Sequence, residues 1–181
     1  MKTEEFYNIA KPICQAAGFE TLAVTAHAYH ETGGFAKVIG KNNYFGIKTP
    51  QQSVWTGLVA EVRTSEDIVQ IAGETEDKAR LRALNIFRRR IDKIVPKTVD
   101  GKKYWHVTLL QTFRDWQTPE EAIKWYCNEF IRKIYPEAYN FRSVGFQYFP
   151  ALIPKYATDP AYARKCIEVY KVLKAKYFPR G

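Results

Sequence analysis

Glu31 stands at the end of an apolar run, Leu22, Ala23, Val24, Ala26, Ala28 and Tyr29, and just before Gly33-Gly34. Residues 20 to 32 read as a helix that is apolar on most sides, as a central core helix is, and the glycine pair stops it. A carboxylate in its last turn meets two unfavourable effects, apolar surroundings and the negative end of the helix dipole. Both raise its pKa, the direction a general acid needs near neutral pH. The glycines also open the backbone to the close approach of a substrate. A glutamate fraying into solvent at a helix end is the plainer alternative, and position alone does not separate the two.

His27 lies four residues before Glu31, on the same helical face. The run His27-Ala28-Tyr29-His30-Glu31 is neither H-E-x-x-H nor H-x-x-E-H, and the sequence offers no third ligand, so no metal or other cofactor is expected. A contact that tunes the acid and a packed core histidine both fit His27. Further carboxylates, Glu61 and Glu66, belong to residues 53 to 66. That stretch is partly β-branched (Val54, Val59, Val62, Thr64), has Gly57 as a turn, and reads as a small β-hairpin.

The remaining elements are mostly helical. Thr3-Glu4-Glu5 starts a first helix that ends at Gly18, with Pro12 expected to kink or interrupt it. Residues 76 to 95 read as an amphipathic helix with Ala83, Leu84, Phe87, Ile91 and Ile94 on one side and Arg88-Arg89-Arg90 within it. Thr118-Pro119-Glu120-Glu121 is a capping box with proline at the first helical position. Asp159-Pro160 opens the last helix by the same logic, to about Lys176. Trp116, Trp125, Tyr126, Tyr162 and Tyr170 read mainly as core, and Tyr44, Trp55 and Tyr148 as candidates for a groove. The expected class is α+β, mostly α, with a small β-hairpin lobe and a basic helical insert.

Three segments resemble one known family. His30-Glu31-Thr32-Gly33-Gly34-Phe35 followed by Asn42-Asn43-Tyr44-Phe45-Gly46-Ile47-Lys48 is similar to the E-S-G-W-G and N-x-F-G-I-K segments of the bacterial endo-β-N-acetylglucosaminidases. Trp55-Thr56-Gly57 through Thr64-Ser65-Glu66 resembles their W-x-G…T-x-E hairpin, and Tyr156-Ala157-Thr158-Asp159-Pro160-Ala161-Tyr162-Ala163 their Y-A-T-D-P-x-Y-A signature. The family includes flagellar-rod peptidoglycan hydrolases and surface autolysins. The resemblance implies a lysozyme-like catalytic domain over residues 1–181, with an insert at about 67–104 that precedes Thr112-Phe113-Arg114, similar to the family's F-R-x-Y. It implies Glu31 as catalytic acid, Glu66 rather than Glu61 as second carboxylate, and Tyr156 near the acid. Asn43, Tyr44, Phe45, Gly46 and Trp55 would line the glycan groove. The family's tryptophan after the acid is replaced by Gly34-Phe35, so one groove wall differs.

Glycoside hydrolysis needs a proton donor for the leaving oxygen and charge stabilisation opposite it. Glu66 would activate the water, or the substrate's 2-acetamido group would attack with Glu66 assisting. The implied substrate is peptidoglycan, cut on the N-acetylglucosamine side. Muramidase or lytic transglycosylase action on the same fold is the alternative, as is a non-catalytic wall-binding module, which would need neither carboxylate.

The bulk properties agree. One hundred and eighty-one residues, 46% hydrophobic, suffice for one well-buried core, and 15% aromatic residues include platforms for sugar rings. A net charge of +9 favours anionic partners, here wall polymers held by Arg88, Arg89 and Arg90. No zinc-finger spacing, Gly-rich phosphate loop or RNP pattern points to nucleic acid. Cys14, Cys127 and Cys166 lack any CxxC spacing and read as buried free thiols. The N-terminus shows no apolar h-region and no run approaches membrane-spanning length. Action at the bacterial cell wall would then need phage-type release, delivery by a secretion or tail machine, or a trimmed chain.

Overall fold

The computed structural model describes residues 1–49, 55–153, 155–157 and 159–177. The chain forms two compact units, one of residues 1–47, 56–58 and 115–181, the other of 48–55 and 59–114. The class is α+β, mostly α, with one three-stranded antiparallel sheet.

In the helical unit, α1 (Thr3–Ala17) buries Phe6, Ala10, Ile13 and Cys14, one stripe at helical spacing. It runs through Pro12 without interruption and ends at Gly18, whose φ of 73° suits glycine. Helix α2 (Thr21–Glu31) is the central helix, buried at every position from Thr21 to Ala28. The unit continues with α4 (Pro119–Trp125), a π-helical turn (Tyr126–Ile131), α5 (Arg132–Ile134), α6 (Pro136–Asn140), α7 (Gly145–Leu152) and α8 (Tyr162–Tyr177), of which α7 and α8 pack on α2 along with α1. Helix α4 starts as its sequence requires, Thr118 Oγ1 accepting from Glu121 N–H at 3.2 Å with proline following. Before α8, Asp159 accepts from Ala161 N–H through Oδ1 (2.8 Å) and from Tyr162 N–H through its carbonyl (3.0 Å). Cys14, Cys127 and Cys166 are buried free thiols.

The second unit departs from two expectations. The stretch 53–66 is not a local hairpin: β1 (Val59–Val69) is one strand whose partner is β3 (Lys102–Arg114), in unbroken register from Val59↔Arg114 to Val69↔Tyr104. Val54 and Ser53 lie outside the described residues. The expected helix over 76–95 stops early. Helix α3 (Glu76–Phe87) ends at Arg88, which turns left-handed at φ 48°, and β2 (Arg90–Val99) follows. The insert is therefore helix and strands, and the three arginines occupy a helix cap and a strand start instead of a basic helix.

A β-bulge explains the misreading. The register of β2 on β3 slips between Ile91 and Lys93, so half-buried Ile91 pairs with Leu109 and buried Ile94 with Val107. The extra residue puts two apolar side chains three positions apart on one face, a spacing that imitates a helix. Ile68, Ile94, Trp105, Val107 and Leu109 close over Ala79 and Ala83 of α3 to form this unit's core. Glu74 ties it at one end, accepting from Arg82 (2.8 and 2.7 Å) and from Trp105 Nε1 (3.0 Å).

Candidate active site

Helix α2 ends by a side-chain cap. Thr32 Oγ1 donates to Ala28 O at 2.6 Å and accepts from Phe35 N–H at 2.9 Å. Gly33, Gly34 and Phe35 then adopt positive φ in succession, at 56°, 77° and 66°. For Phe35 that conformation is strained, roughly 1–2 kcal/mol, and burial of its ring 4.9 Å from that of Phe6 holds it there. The turn leaves Glu31 as the last helical residue, its side chain 20% exposed. Burial pushes its carboxyl up from the ordinary value, opposed by a hydrogen bond from Tyr162.

The segment facing Glu31 is held from beneath. The Asp115 carboxylate accepts from the Lys41 and Asn42 N–H groups, each at 2.8 Å. Asn43 Oδ1 accepts from Phe45 N–H (3.3 Å) and Ile47 N–H (3.0 Å), while its Nδ2 donates to Ile47 O (2.9 Å). That staple folds 43–47 into a tight turn with Gly46 at φ 60°. A Cβ on Gly46 would lie 3.3 Å from Glu31 Oε2, so the backbone passes directly beside the carboxylate.

Of the residues singled out in the sequence, Glu31, Asn43, Tyr44, Phe45, Gly46 and Tyr156 lie together in the helical unit. Asn43, Tyr44 and Phe45 are buried: Tyr44 donates to Asn42 Oδ1 at 2.9 Å, and the Phe45 ring stacks on Tyr126 at 3.7 Å. Their side chains shape the turn rather than present a sugar platform. Tyr148, expected near the groove, is fully buried. Tyr156 donates to the Phe45 carbonyl, and its ring packs 4.6 Å from that of His27. The tyrosine that touches the acid is Tyr162, which donates to Glu31 Oε1. Tyr162 read as core in the sequence. The available signal was its place as second tyrosine of Tyr156-Ala157-Thr158-Asp159-Pro160-Ala161-Tyr162.

Behind Tyr162 lies His27, fully buried, its Nε2 2.6 Å from the Tyr162 hydroxyl and 3.9 Å from Glu31 Oε1. Burial lowers its pKa to about 3, so it is neutral. Its Nδ1 meets the Tyr126 hydroxyl, which in turn meets that of Tyr148. Among the described residues no three His, Cys, Asp or Glu side chains gather as metal ligands.

In the sheet unit, Glu66 pairs with Val107 and Glu61 with Thr112. Cross-strand partners share a face, and the two glutamates are an odd number of positions apart on one strand, so they project from opposite faces. Glu66 is exposed on the face that carries α3, and Glu61 is exposed on the other. Trp55 is half-buried, with the Arg114 guanidinium 4.6 Å over its ring.

Comparison with known proteins adds three findings. The profile of the Glucosaminidase family, described as mannosyl-glycoprotein endo-beta-N-acetylglucosaminidase, matches residues 7–175. No curated protein matches the chain. Among solved structures, a C-terminally truncated glycoside hydrolase domain of Salmonella typhimurium FlgJ is similar at 21% identity and TM-score 0.59, over 96% of this chain and 99% of that one. A mutant of the peptidoglycan hydrolase from Sphingomonas sp. A1 is similar at 23% identity and TM-score 0.58, over 91% and 87%. The catalytic domain of the Listeria monocytogenes autolysin Auto is similar at 16% identity and TM-score 0.54, over 94% and 83%. At these identities the likeness is one of fold.

Proposed function

The chain belongs to the Glucosaminidase family of glycoside hydrolases, and on that premise we propose that it cleaves bacterial peptidoglycan as an endo-β-N-acetylglucosaminidase, with Glu31 as general acid. The observation that carries the reading is the state of Glu31. Its carboxyl is raised by burial, one oxygen is bound by Tyr162, and the other lies beside the Gly46 backbone. A carboxyl whose protonated form is favoured by burial, with one oxygen turned away from Tyr162, suits donation to a glycosidic oxygen.

The whole chain acts as one catalytic domain in this reading, and Glu66 is its second carboxylate. Product stereochemistry tells its role: inversion if Glu66 activates water directly, retention if the substrate's acetamido group attacks first. Gly46 and the turn it belongs to border the bound glycan, Trp55 contributes to the groove, and Tyr156 keeps that turn in place. Action is at the bacterial cell wall. Arg88 and Arg90, both exposed, attract anionic wall polymer; Arg89 is partly engaged, its Nε donating to Gln111 Oε1 at 2.9 Å. Changing all three to Gln should weaken binding to sacculi at low salt and flatten its salt dependence.

Mass spectrometry of digested sacculi tests the bond assignment. N-acetylglucosamine at the new reducing ends is expected. Reducing-end muramic acid, or its anhydro form, would replace the reading with muramidase or lytic transglycosylase action.

A further inference from the structure

Five side chains form one continuous hydrogen-bonded chain through the helical unit: Tyr148, Tyr126, His27, Tyr162 and Glu31. Two of them, His27 and Glu31, lie on α2, and the other three on three different elements: Tyr126 in the π-helical turn, Tyr148 in α7, Tyr162 in α8. A chain of this kind has only two self-consistent directions. A neutral imidazole has one donor nitrogen and one acceptor nitrogen, and each phenol carries one hydrogen. If Tyr162 donates to Glu31 Oε1, its oxygen must accept from His27 Nε2–H. His27 Nδ1 must then accept from Tyr126, whose oxygen accepts from Tyr148. In the opposite direction every bond reverses, and Glu31 must itself donate from Oε1.

We propose that Tyr162 and His27 are positioning residues that keep Glu31 Oε1 occupied as a hydrogen-bond acceptor, so that the proton of the acid sits on Oε2. This rests on Glu31 being the general acid and adds how its proton is placed. The geometry favours the forward direction because Oε2, not Oε1, lies beside Gly46, where, among the described residues beyond its chain neighbours, Glu31 Oε2 is the one atom within 4 Å of the place a Cβ would take. A proton on Oε1 would point into the protein, toward Tyr162. After the proton leaves Oε2, the Tyr162 hydroxyl already faces the new carboxylate and needs no reorientation. The neutral His27 fixes Tyr162 in turn, since its Nε2–H takes the lone pair that would let the phenol rotate away. Each bond in such a chain polarises the next.

The titratable groups around Glu31, among the described residues of this unit, are consistent with that balance. His27 and His30 lie on its own helix, Tyr162 and Cys166 on α8, and Tyr156 and Tyr135 on the segments packed against them. His30 faces Lys165 and Asp159. Of these, Tyr162 is the one that donates a hydrogen bond to the acid.

The tautomer is read without substrate. Histidine is labelled with ¹⁵N, and the three rings are assigned with His30→Gln and His106→Gln. Nitrogen–proton correlations should show His27 protonated on Nε2 only, unchanged from about pH 5 to pH 8. A proton on Nδ1, or charging of His27 within that range, would overturn the proposal. The consequence is read on lysis. Tyr162→Phe deletes one oxygen and should move the alkaline limb of kcat upward by about one pH unit, the size expected of a hydrogen bond to a carboxylate. KM should change little. His27→Phe should move the limb in the same direction by less, because it acts through Tyr162. A lower kcat with an unmoved limb in both variants would make the chain packing only. Loss of the acid assignment itself would appear separately, as a Glu31→Gln protein that still lyses.

Discussion

The backbone of Gly46 and the carboxylate of Glu31 sit so close that a single added Cβ would lie 3.3 Å from Oε2. Gly46 also needs its positive φ of 60°, so alanine there meets strain and a neighbour at once. Gly46→Ala should cost about 1–2 kcal/mol of stability from the left-handed backbone. Activity should fall further, by roughly 10- to 100-fold, because the acid is displaced from its working position. Denaturant titration together with lysis of purified peptidoglycan separates the two. A variant with wild-type turnover would mean that the turn does not border the reacting bond.

Glu31→Gln keeps the size of the side chain and can still accept from Tyr162, but it cannot give up a proton. Lysis should drop at least about 100-fold with the fold retained, as circular dichroism would report. Glu66→Gln should reduce lysis less if the acetamido group is the first nucleophile. Glu61→Gln is the control, since Glu61 projects from the opposite sheet face, and it should be nearly silent.

Tyr156→Phe removes the donor to the Phe45 carbonyl and leaves a part-buried acceptor unpaired. The sequence motif alone points to an activity loss at constant stability. With the hydroxyl spent on the backbone of the turn, both should suffer, stability by about 1–3 kcal/mol. Equilibrium unfolding that matches the wild type would refute this role.

Glu74 governs the acid stability of the sheet unit. Its hydrogen bonds with Arg82 first, and with Ile71 N–H and Trp105, hold its carboxyl down to about 2, against an ordinary value of 4.5. A group with a depressed folded pKa stabilises at pH above its unfolded value and loses that contribution as pH falls toward its folded one. Glu74→Gln should therefore melt lower than wild type at neutral pH. The gap should narrow between about pH 4.5 and about pH 2. A gap independent of pH would assign Glu74 a packing role instead.

Local signals in the sequence were sufficient for much of the helical unit. The stop at Gly18, the apolar run of α2, the break at Gly33-Gly34 and the Thr118-Pro119 start depend on neighbours within a few residues, so spacing and capping chemistry reveal them. The surroundings of Glu31 were visible for the same reason: a helix end, an apolar approach and a glycine turn are all local, whereas its role as acid comes from the resemblance. The motif around Asn43 was legible as a match, though its physical sense, a side-chain staple that brings Gly46 against the acid, is not.

What the sequence left open depends on contacts distant along the chain. The β1 strand pairs at its nearest point across the chain from Val69 to Tyr104, so no local turn could announce it, and the bulge at β2 gave Ile91 and Ile94 a helical spacing inside a strand. The sequence points to Tyr156 as the tyrosine near the acid and reads Tyr162 as core, and the same distance along the chain hides which hydroxyl meets Glu31. Both are aromatic, both flank one motif, and only packing against α2 directs one hydroxyl to the Phe45 backbone and the other to Glu31. His27 could be core or in contact with the acid by sequence; it is fully buried and hydrogen-bonded to Tyr162, whose hydroxyl donates to Glu31. Residue types and local spacing determined which groups were available for chemistry. Tertiary packing decided which oxygen of Glu31 each neighbour meets, because a hydrogen bond depends on atoms brought within about 3 Å, from positions as far apart in the chain as 31 and 162.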